Sequence, residues 1–413
     1  MLKGTCIVAQ SGGPSAVINS SICGAIETAL NTECITKVYG ALNGIQGVLD
    51  EKLCDMSKED PKEIRLLKTT PSSALGSCRV KLPDHKVDDS KYKRILEVFK
   101  KYDVRYFFYN GGNDSMDTCM KVSAYMESVG YDCRIMGIPK TIDNDLALTD
   151  HCPGFASAAK YIATSIMEVR RDISVYNKGS VMIFEIMGRN AGWLAASAAL
   201  ASLNGEGPDL IYLPETVFDI DAFFEKVARI YKETGNCVVA VSEGIKDKEG
   251  RYISEYGSDL AKSKDAFGHA QMGGLASYLA AETKARIEGV KVRGIELSLL
   301  QRCAAHCASE TDVEEAYMAG KAAVDGAVSG ITDKMVGFER SYENGEYKCS
   351  VKYFDLKEVA NKEKTVPVSW IKADGEGMTD EFIKYASPLI IGESKIEYEN
   401  GLPRFTRLKK VTE

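Results

Sequence analysis

Several short stretches of the sequence concentrate side chains suited to handling phosphate. Residues 10–15 spell Gln-Ser-Gly-Gly-Pro-Ser between a strand-like run and a helical one. Paired glycines there let backbone amides approach an anion, and the helix start adds partial positive charge. A plain tight turn looks the same, so this stretch alone decides little. Residues 109–115, Tyr-Asn-Gly-Gly-Asn-Asp-Ser, repeat the arrangement at the end of an apolar run. Two such turns on one sheet edge can flank a single polyphosphate. An acidic residue beside a phosphate needs a metal between them, which implies Mg2+. The most informative stretch is 137–145, Gly-Ile-Pro-Lys-Thr-Ile-Asp-Asn-Asp. Asp143 and Asp145, at alternate positions, can divide two tasks: one accepts a proton from an alcohol, the other holds the metal. Lys140 supplies a cation for phosphoryl oxygens. In Met187-Gly188-Arg189, after another strand-like run, Arg189 can fork onto phosphate oxygens. Glu243 follows a buried run and can hold sugar hydroxyls. An acidic protein that binds polyanions must gather positive charge locally, and Arg79, Arg293 and Arg302 are candidates. Taken singly, Glu243, Arg293 and Arg302 also fit surface ion pairs.

These loops need a scaffold. Continuous apolar runs predict strands at 5–9, 105–109, 133–137, 180–186, 210–213, 237–241 and 292–299. Such runs are expected where helices cover both faces of a parallel sheet. Helical patterns fall at 17–30, 91–102, 115–128, 156–171, 191–203, 220–233, 269–287 and 312–328. Strand and helix alternating at this length predict an α/β fold built from doubly wound, mainly parallel sheets. At 413 residues the chain exceeds one domain of about 150 residues. We expect a donor-binding domain over 1–148, to which 303–335 returns, and a sugar-phosphate-binding domain over 149–302. Residues 336–413 form a C-terminal extension. Within it, alternating runs at 338–342 and 346–353 flank Asn344-Gly345, a hairpin signal. An oligomer contact or a lid are the roles open to it.

Composition excludes other classes. The net charge is −7 with no strong basic tract, which argues against nucleic acid as a partner. No apolar run approaches the roughly 20 residues of a membrane span. The N-terminus runs straight into a strand pattern rather than a leader, so the twelve cysteines are expected to be reduced thiols of a cytoplasmic protein. Cys303, His306 and Cys307 lack the ligand number and spacing of a metal site and fit a helical stretch. His85, His151 and His269 are isolated and carry no catalytic expectation. A nicotinamide dehydrogenase would share the sheet, but Gly12-Gly13-Pro14 lacks the Gly-x-Gly-x-x-Gly form.

The blocks Gly12-Gly13, Pro71-Ser72-Ser73-Ala74-Leu75-Gly76-Ser77-Cys78-Arg79, Gly111-Gly112-Asn113-Asp114-Ser115, Pro139-Lys140-Thr141-Ile142-Asp143-Asn144-Asp145, Met187-Gly188-Arg189 and Gln301-Arg302 occur in one order. In that order the chain resembles phosphofructokinases, from its start to about residue 335. The resemblance implies two Rossmann-like domains and phosphoryl transfer to the 1-hydroxyl of fructose 6-phosphate. It implies Asp143 as general base and Gly13 against the donor, with Arg79 steadying the transferring group. Thr141, Ile142, Asp143, Met187, Gly188, Arg189, Glu243, Leu299, Leu300, Gln301 and Arg302 would contact the sugar phosphate, with Arg293 a further candidate. ATP-using members usually carry glycines where this chain has Asp114 and Lys140, and this pair resembles the pyrophosphate-dependent branch. Asp114 would fill the place of a nucleotide's α-phosphate by bulk and like charge, and Lys140 would stabilise the leaving phosphate. Leu42 stands where ATP users often carry an aromatic. An ATP-dependent phosphofructokinase is the alternative. Asn113 replaces a frequent metal-side aspartate, so ligation shifts to Asp145 or through water. Ser180 replaces an arginine that crosses the subunit boundary in many members, and Leu299 replaces a frequent histidine. These changes leave acceptor breadth open, sedoheptulose 7-phosphate included. Cys23 and Glu27 stand where allosteric members carry arginines, which implies no regulation by ADP or phosphoenolpyruvate. A homodimer is expected from the family.

Overall fold

In the computed structural model, residues 2–257 and 274–412 are described. Eleven strands form two sheets: β1 (Gly4–Gln10), β2 (Ile35–Ala41), β3 (Leu53–Asp55), β4 (Val104–Gly111), β5 (Arg134–Pro139), β6 (Ser180–Ile186), β7 (Leu210–Tyr212), β8 (Cys237–Ser242), β9 (Lys291–Glu296), β10 (Lys334–Glu343) and β11 (Glu346–Asp355). The first sheet runs β11-β10-β5-β4-β1-β2-β3, and the second runs β7-β8-β6-β9. The second is parallel throughout. In the first, β3 and β11 are antiparallel edge strands on a parallel centre.

Both sheets are covered on both faces, which accounts for the continuous apolar runs. In β4, Tyr106 and Phe108 enter one core cluster while Phe107 and Tyr109 enter another. In β6, Met182, Phe184 and Ile186 face one cluster, and Val181 and Ile183 the opposite one. A strand whose two side-chain rows are both buried cannot alternate with polar residues.

The helix Ile18–Leu30 packs against Glu310–Val328 over the first sheet. Their contact depends on two missing side chains. A Cβ on Gly24 would sit 2.1 Å from the Tyr317 carbonyl oxygen, and one on Gly320 would sit 1.7 Å from that of Ser21. The expected helix at 269–287 is described as Leu275–Arg286, and its first residues, with His269, lie outside the described segments. The helical pattern at 191–203 splits into the α-helix Trp193–Ser197 and the 3-10 helix Ala198–Asn204. Cys303, His306 and Cys307 lie in the helical turns Leu300–Cys303 and Ala305–Cys307. All twelve cysteines are free thiols.

The hairpin forms as its Asn-Gly predicts, with Asn344 and Gly345 both at positive φ. It is no appendix. The boundary drawn at 335/336 falls inside β10, whose Lys334 and Met335 pair with Met136 and Gly137 of β5. The expectation of a separate extension missed this because the join is a long-range ladder. The remaining tail straps both units. Ile371, Phe382, Tyr385 and Leu389 enter the second sheet's core, while Thr412 bridges to Cys54 beside the first sheet's edge.

Candidate active site

The carboxyl ends of the two sheets face one cavity of about 360 Å3. Strand ends are where open α/β sheets place ligands. From the first sheet, the loop after β1 brings Ser11, Gly12, Gly13 and Pro14, and the loop after β4 brings Gly112, Asn113, Asp114 and Ser115. The loop after β5 brings Lys140, Thr141, Ile142, Asp143 and Asp145. The second sheet contributes Met187, Arg189, Asn190 and Ala191 after β6, and Glu243 after β8. Arg79, Arg302 and Glu363 complete the lining.

The first-sheet loops are tied to one another. Lys140 N donates to the Gly111 carbonyl at 3.0 Å, and Ser11 N to that of Asn110 at 2.9 Å. Gly12 has φ +78°, and a Cβ there would lie 3.1 Å from Lys140 Nζ. A Cβ on Gly13 would lie 3.2 Å from Arg302 Nη1. The glycine pair is thus the gap through which two cations reach the same backbone turn. Asp114 accepts from Lys81 Nζ at 3.1 Å.

Lys140 is buried, 6 % exposed. Burial pushes its ammonium down to about 8, against the pull of Asp143 and Asp145 and with Arg302 and Arg79 lowering it further. Burial raises the Asp143 carboxyl, while Lys140 and Arg189 hold it back. Asp145 is pushed up to about 7 by burial, then by the charges of Asp143 and Glu363. Burial lifts Glu243 to about 7, although its Oε1 accepts from Gly188 N at 3.4 Å. Buried carboxylates facing two or more cations make a cavity suited to a phosphorylated ligand that carries a hydroxyl group.

Of the residues expected from sequence, Gly13, Arg79, Asn113, Asp114, Lys140, Thr141, Ile142, Asp143, Asp145, Met187, Arg189, Glu243 and Arg302 line the cavity. Gly188 sits behind it through its backbone. Gln301 is buried and supports the wall, its Oε1 accepting from Met187 N at 3.2 Å. Arg293, Leu299 and Leu300 are not brought in. Arg293 lies on the edge strand β9 with its side chain exposed, and Leu299 and Leu300 are 54 % and 60 % exposed beyond that strand. Leu42 packs against the first sheet's core instead of lining the cavity. Gly12 and Gly112 belong to the glycine turns expected to approach an anion, and Ser11, Pro14 and Ser115 lie in the same motifs without a role of their own. Asn190 and Ala191 directly follow Met187-Gly188-Arg189. Glu363 had no local signal at all.

Two mainly parallel α/β units closing on a cleft of arginines, lysine and carboxylates define a protein built to hold phosphorylated ligands. The phosphofructokinase profile matches residues 5–304. The chain belongs to the phosphofructokinase family. It is 46 % identical over 418 residues to a pyrophosphate–fructose 6-phosphate 1-phosphotransferase from Xanthomonas campestris, covering all of this chain and 97 % of that protein. It is 45 % identical to the enzyme of the same name from Halomonas elongata, over 99 % of this chain and 97 % of that one. Its fold matches the crystal structure of a pyrophosphate-dependent phosphofructokinase from Nitrosospira multiformis with a TM-score of 0.89. That match has 42 % identity and covers 99 % of this chain and 97 % of that one.

Proposed function

We propose that the chain catalyses reversible, Mg2+-dependent transfer of a phosphoryl group from pyrophosphate to the 1-hydroxyl of fructose 6-phosphate, giving fructose 1,6-bisphosphate and phosphate. The observation that carries this is the pair Asp114 and Lys140 in the cavity lining, Lys140 being buried against the Gly12 turn. A carboxylate at the cavity wall opposes a nucleotide's extra phosphate, and the ammonium compensates a donor with no adenosine to bind. The names of the relatives support the same donor.

Asp143 takes the proton of the 1-hydroxyl, and burial strengthens it as a base. The hydroxyl oxygen bonds to the nearer phosphorus as the bridging P–O bond breaks, and the electron pair leaves with inorganic phosphate. Lys140 and Arg79 neutralise the departing group and the phosphorus in flight. Arg189, Arg302 and Glu243 hold the sugar phosphate, so rate comes chiefly from placement and charge.

The residues present fit Mg2+. Asp145 offers a hard carboxylate oxygen, and Asn113 Oδ1 is buried with no hydrogen-bond partner among the described residues. These two would hold the ion, which supplies positive charge to the pyrophosphate oxygens. Asn113 alone would be a weak ligand, since an amide oxygen carries no net charge.

Regulation by effector phosphates is not part of this reading. Glu27 is occupied by Tyr317 Oη at 2.7 Å and Arg65 at 3.5 Å, and Cys23 is fully buried. A cytoplasmic homodimer completes the proposal, and the exposed edge of β9 with Leu299 and Leu300 is the surface that favours it. Among the described residues no helix is long and apolar enough to cross a membrane.

Assaying fructose 6-phosphate with pyrophosphate and with ATP tests the donor. Pyrophosphate should turn over with a hyperbolic rate curve and ATP should not, while Asp114→Gly should admit some ATP. Turnover of the wild-type chain with ATP alone would end the reading.

A further inference from the structure

One carboxylate in the cavity comes from beyond residue 304, where the family profile ends. Glu363 lines the cavity from the C-terminal segment. That segment is fixed on both sides. Asn113 Nδ2 donates to the Lys362 carbonyl at 2.9 Å, and Asn361 Nδ2 to Asp117 Oδ1 at 3.1 Å. Lys364 N donates to the Asp145 carbonyl at 2.7 Å, and Glu363 bridges to Leu146. Asn190 Nδ2 donates to Glu363 Oε1 at 3.0 Å and aims the side chain. An ionised aspartate at 113 could not hold Lys362, because it has no N–H to give a carbonyl. The residue that weakens position 113 as a metal ligand therefore tethers the neighbour of a different carboxylate.

We propose that Glu363 supplies the negative charge that Asn113 lacks, and that with Asp145 it holds a hydrated divalent cation in the cavity. The proposal rests on the pyrophosphate reading and deepens it. Asp143, Asp145 and Glu363 share one small cavity, and their mutual repulsion is relieved by a cation among them. Mg2+ keeps several of its waters and takes one or two protein carboxylates, so Asp145 and Glu363 suffice for it. The Asn113 amide is then divided in use: its nitrogen positions the segment while its unpartnered oxygen remains for the ion or its water.

Mn2+ binding, followed by loss of the free-ion electron paramagnetic resonance signal, tests this. Wild type and Glu363→Gln are compared, each alone and with imidodiphosphate. Glutamine keeps an oxygen for Asn190, so the thermal midpoint should not move. Mn2+ affinity should fall by about fivefold or more, the size of losing one partly screened charge contact. KM for fructose 6-phosphate should be unchanged. Equal affinities in the two proteins, or no Mn2+ bound by either in both conditions, overturn the proposal. Donor choice is read separately, so a wild type that uses ATP alone would end the pyrophosphate reading and leave the Mn2+ comparison standing.

Discussion

Lys140 shows how much one side chain is asked to do. Its ammonium is buried beside Asp143 and Asp145, with Arg302 and Arg79 opposing it. Holding a cation in that place costs desolvation energy, and in the proposed reaction a developing phosphate charge recovers it. A contact made to such charge is worth about 3–4 kcal/mol. Lys140→Ala should therefore lower kcat with pyrophosphate by roughly a hundredfold or more. Its thermal midpoint should hold, because removing a buried, desolvated charge relieves strain on the fold. Near-normal kcat would remove Lys140 from the reaction. Lys140, Asp143 and Asp145 were legible in the sequence because one turn after one apolar strand carries all three. Asn190 was one residue past a motif that had been read. Arg293 stays outside the cavity of the single chain, because a cation beside a strand-like run does not say which way an edge strand turns its side chains. Glu363 was not legible, because what places it is a bridge to Leu146, more than 200 residues earlier in the chain.

At the scale of elements, most of the strands legible as apolar runs are buried on both faces, with the edge strand β9 the exception. β6 begins and ends where its apolar run does. β2 and β3 were missed. In β2, Thr36 is exposed and Lys37 half-buried, which breaks the run, and β3 has three residues, too few for a pattern. The hairpin was legible from Asn344-Gly345, but its attachment to β5 was not, since parallel pairing leaves no local mark. The crossing of the helices Ile18–Leu30 and Glu310–Val328 likewise depends on partners far apart in sequence. Gly320→Ala poses two opposed effects there. Alanine gains about 1 kcal/mol of helix propensity over glycine. Its Cβ, however, would meet the Ser21 carbonyl at 1.7 Å and Ala25 N at 2.9 Å, and backbone cannot rotate aside. Overpacking of this kind costs about 1–3 kcal/mol or more, so the clash wins. Urea unfolding should show Gly320→Ala less stable than wild type; an equal or higher midpoint would mean the helices separate freely.

Across the whole molecule, the tail and the hairpin hold the cavity loop 140–145 from behind through a buried charge cluster. Asn144, between Asp143 and Asp145, donates to Tyr385 Oη at 2.8 Å, and Tyr385 Oη donates to the Asp150 carbonyl at 2.8 Å. Asp150 Oδ2 lies 2.9 Å from Arg340 Nη2 of β10 and 2.7 Å from His151 Nδ1. His151 Nε2 lies 2.7 Å from Glu315 Oε2, and Tyr347 of β11 donates to the other Glu315 oxygen at 2.8 Å. Both ring nitrogens are turned to carboxylates, an arrangement that favours the imidazolium, a form with no lone pair for a metal although Cys349 is near. Burial opposes that charge, but the hydrogen bonds to Asp150 and Glu315 outweigh it and raise the His151 pKa above 6.5. Burial also opposes the Asp150 charge, yet His151 and Arg340 bring its carboxyl down to about 2. The signs follow by linkage. The histidine's share of stability is complete below pH 6.5 and is lost as pH rises through its higher folded value. The Asp150 share is present above 3.8 and is lost as pH falls towards 2. His151→Gln leaves two carboxylates without their shared cation, a loss of roughly 3 kcal/mol or more for a buried pair. Denaturation midpoints measured from pH 5 to 9 should therefore show the largest gap between wild type and His151→Gln at the acidic end, narrowing as pH rises. A gap that stays constant across that range would show His151 to be neutral in the folded protein. The cluster would then be a hydrogen-bonded brace and not an ionic one.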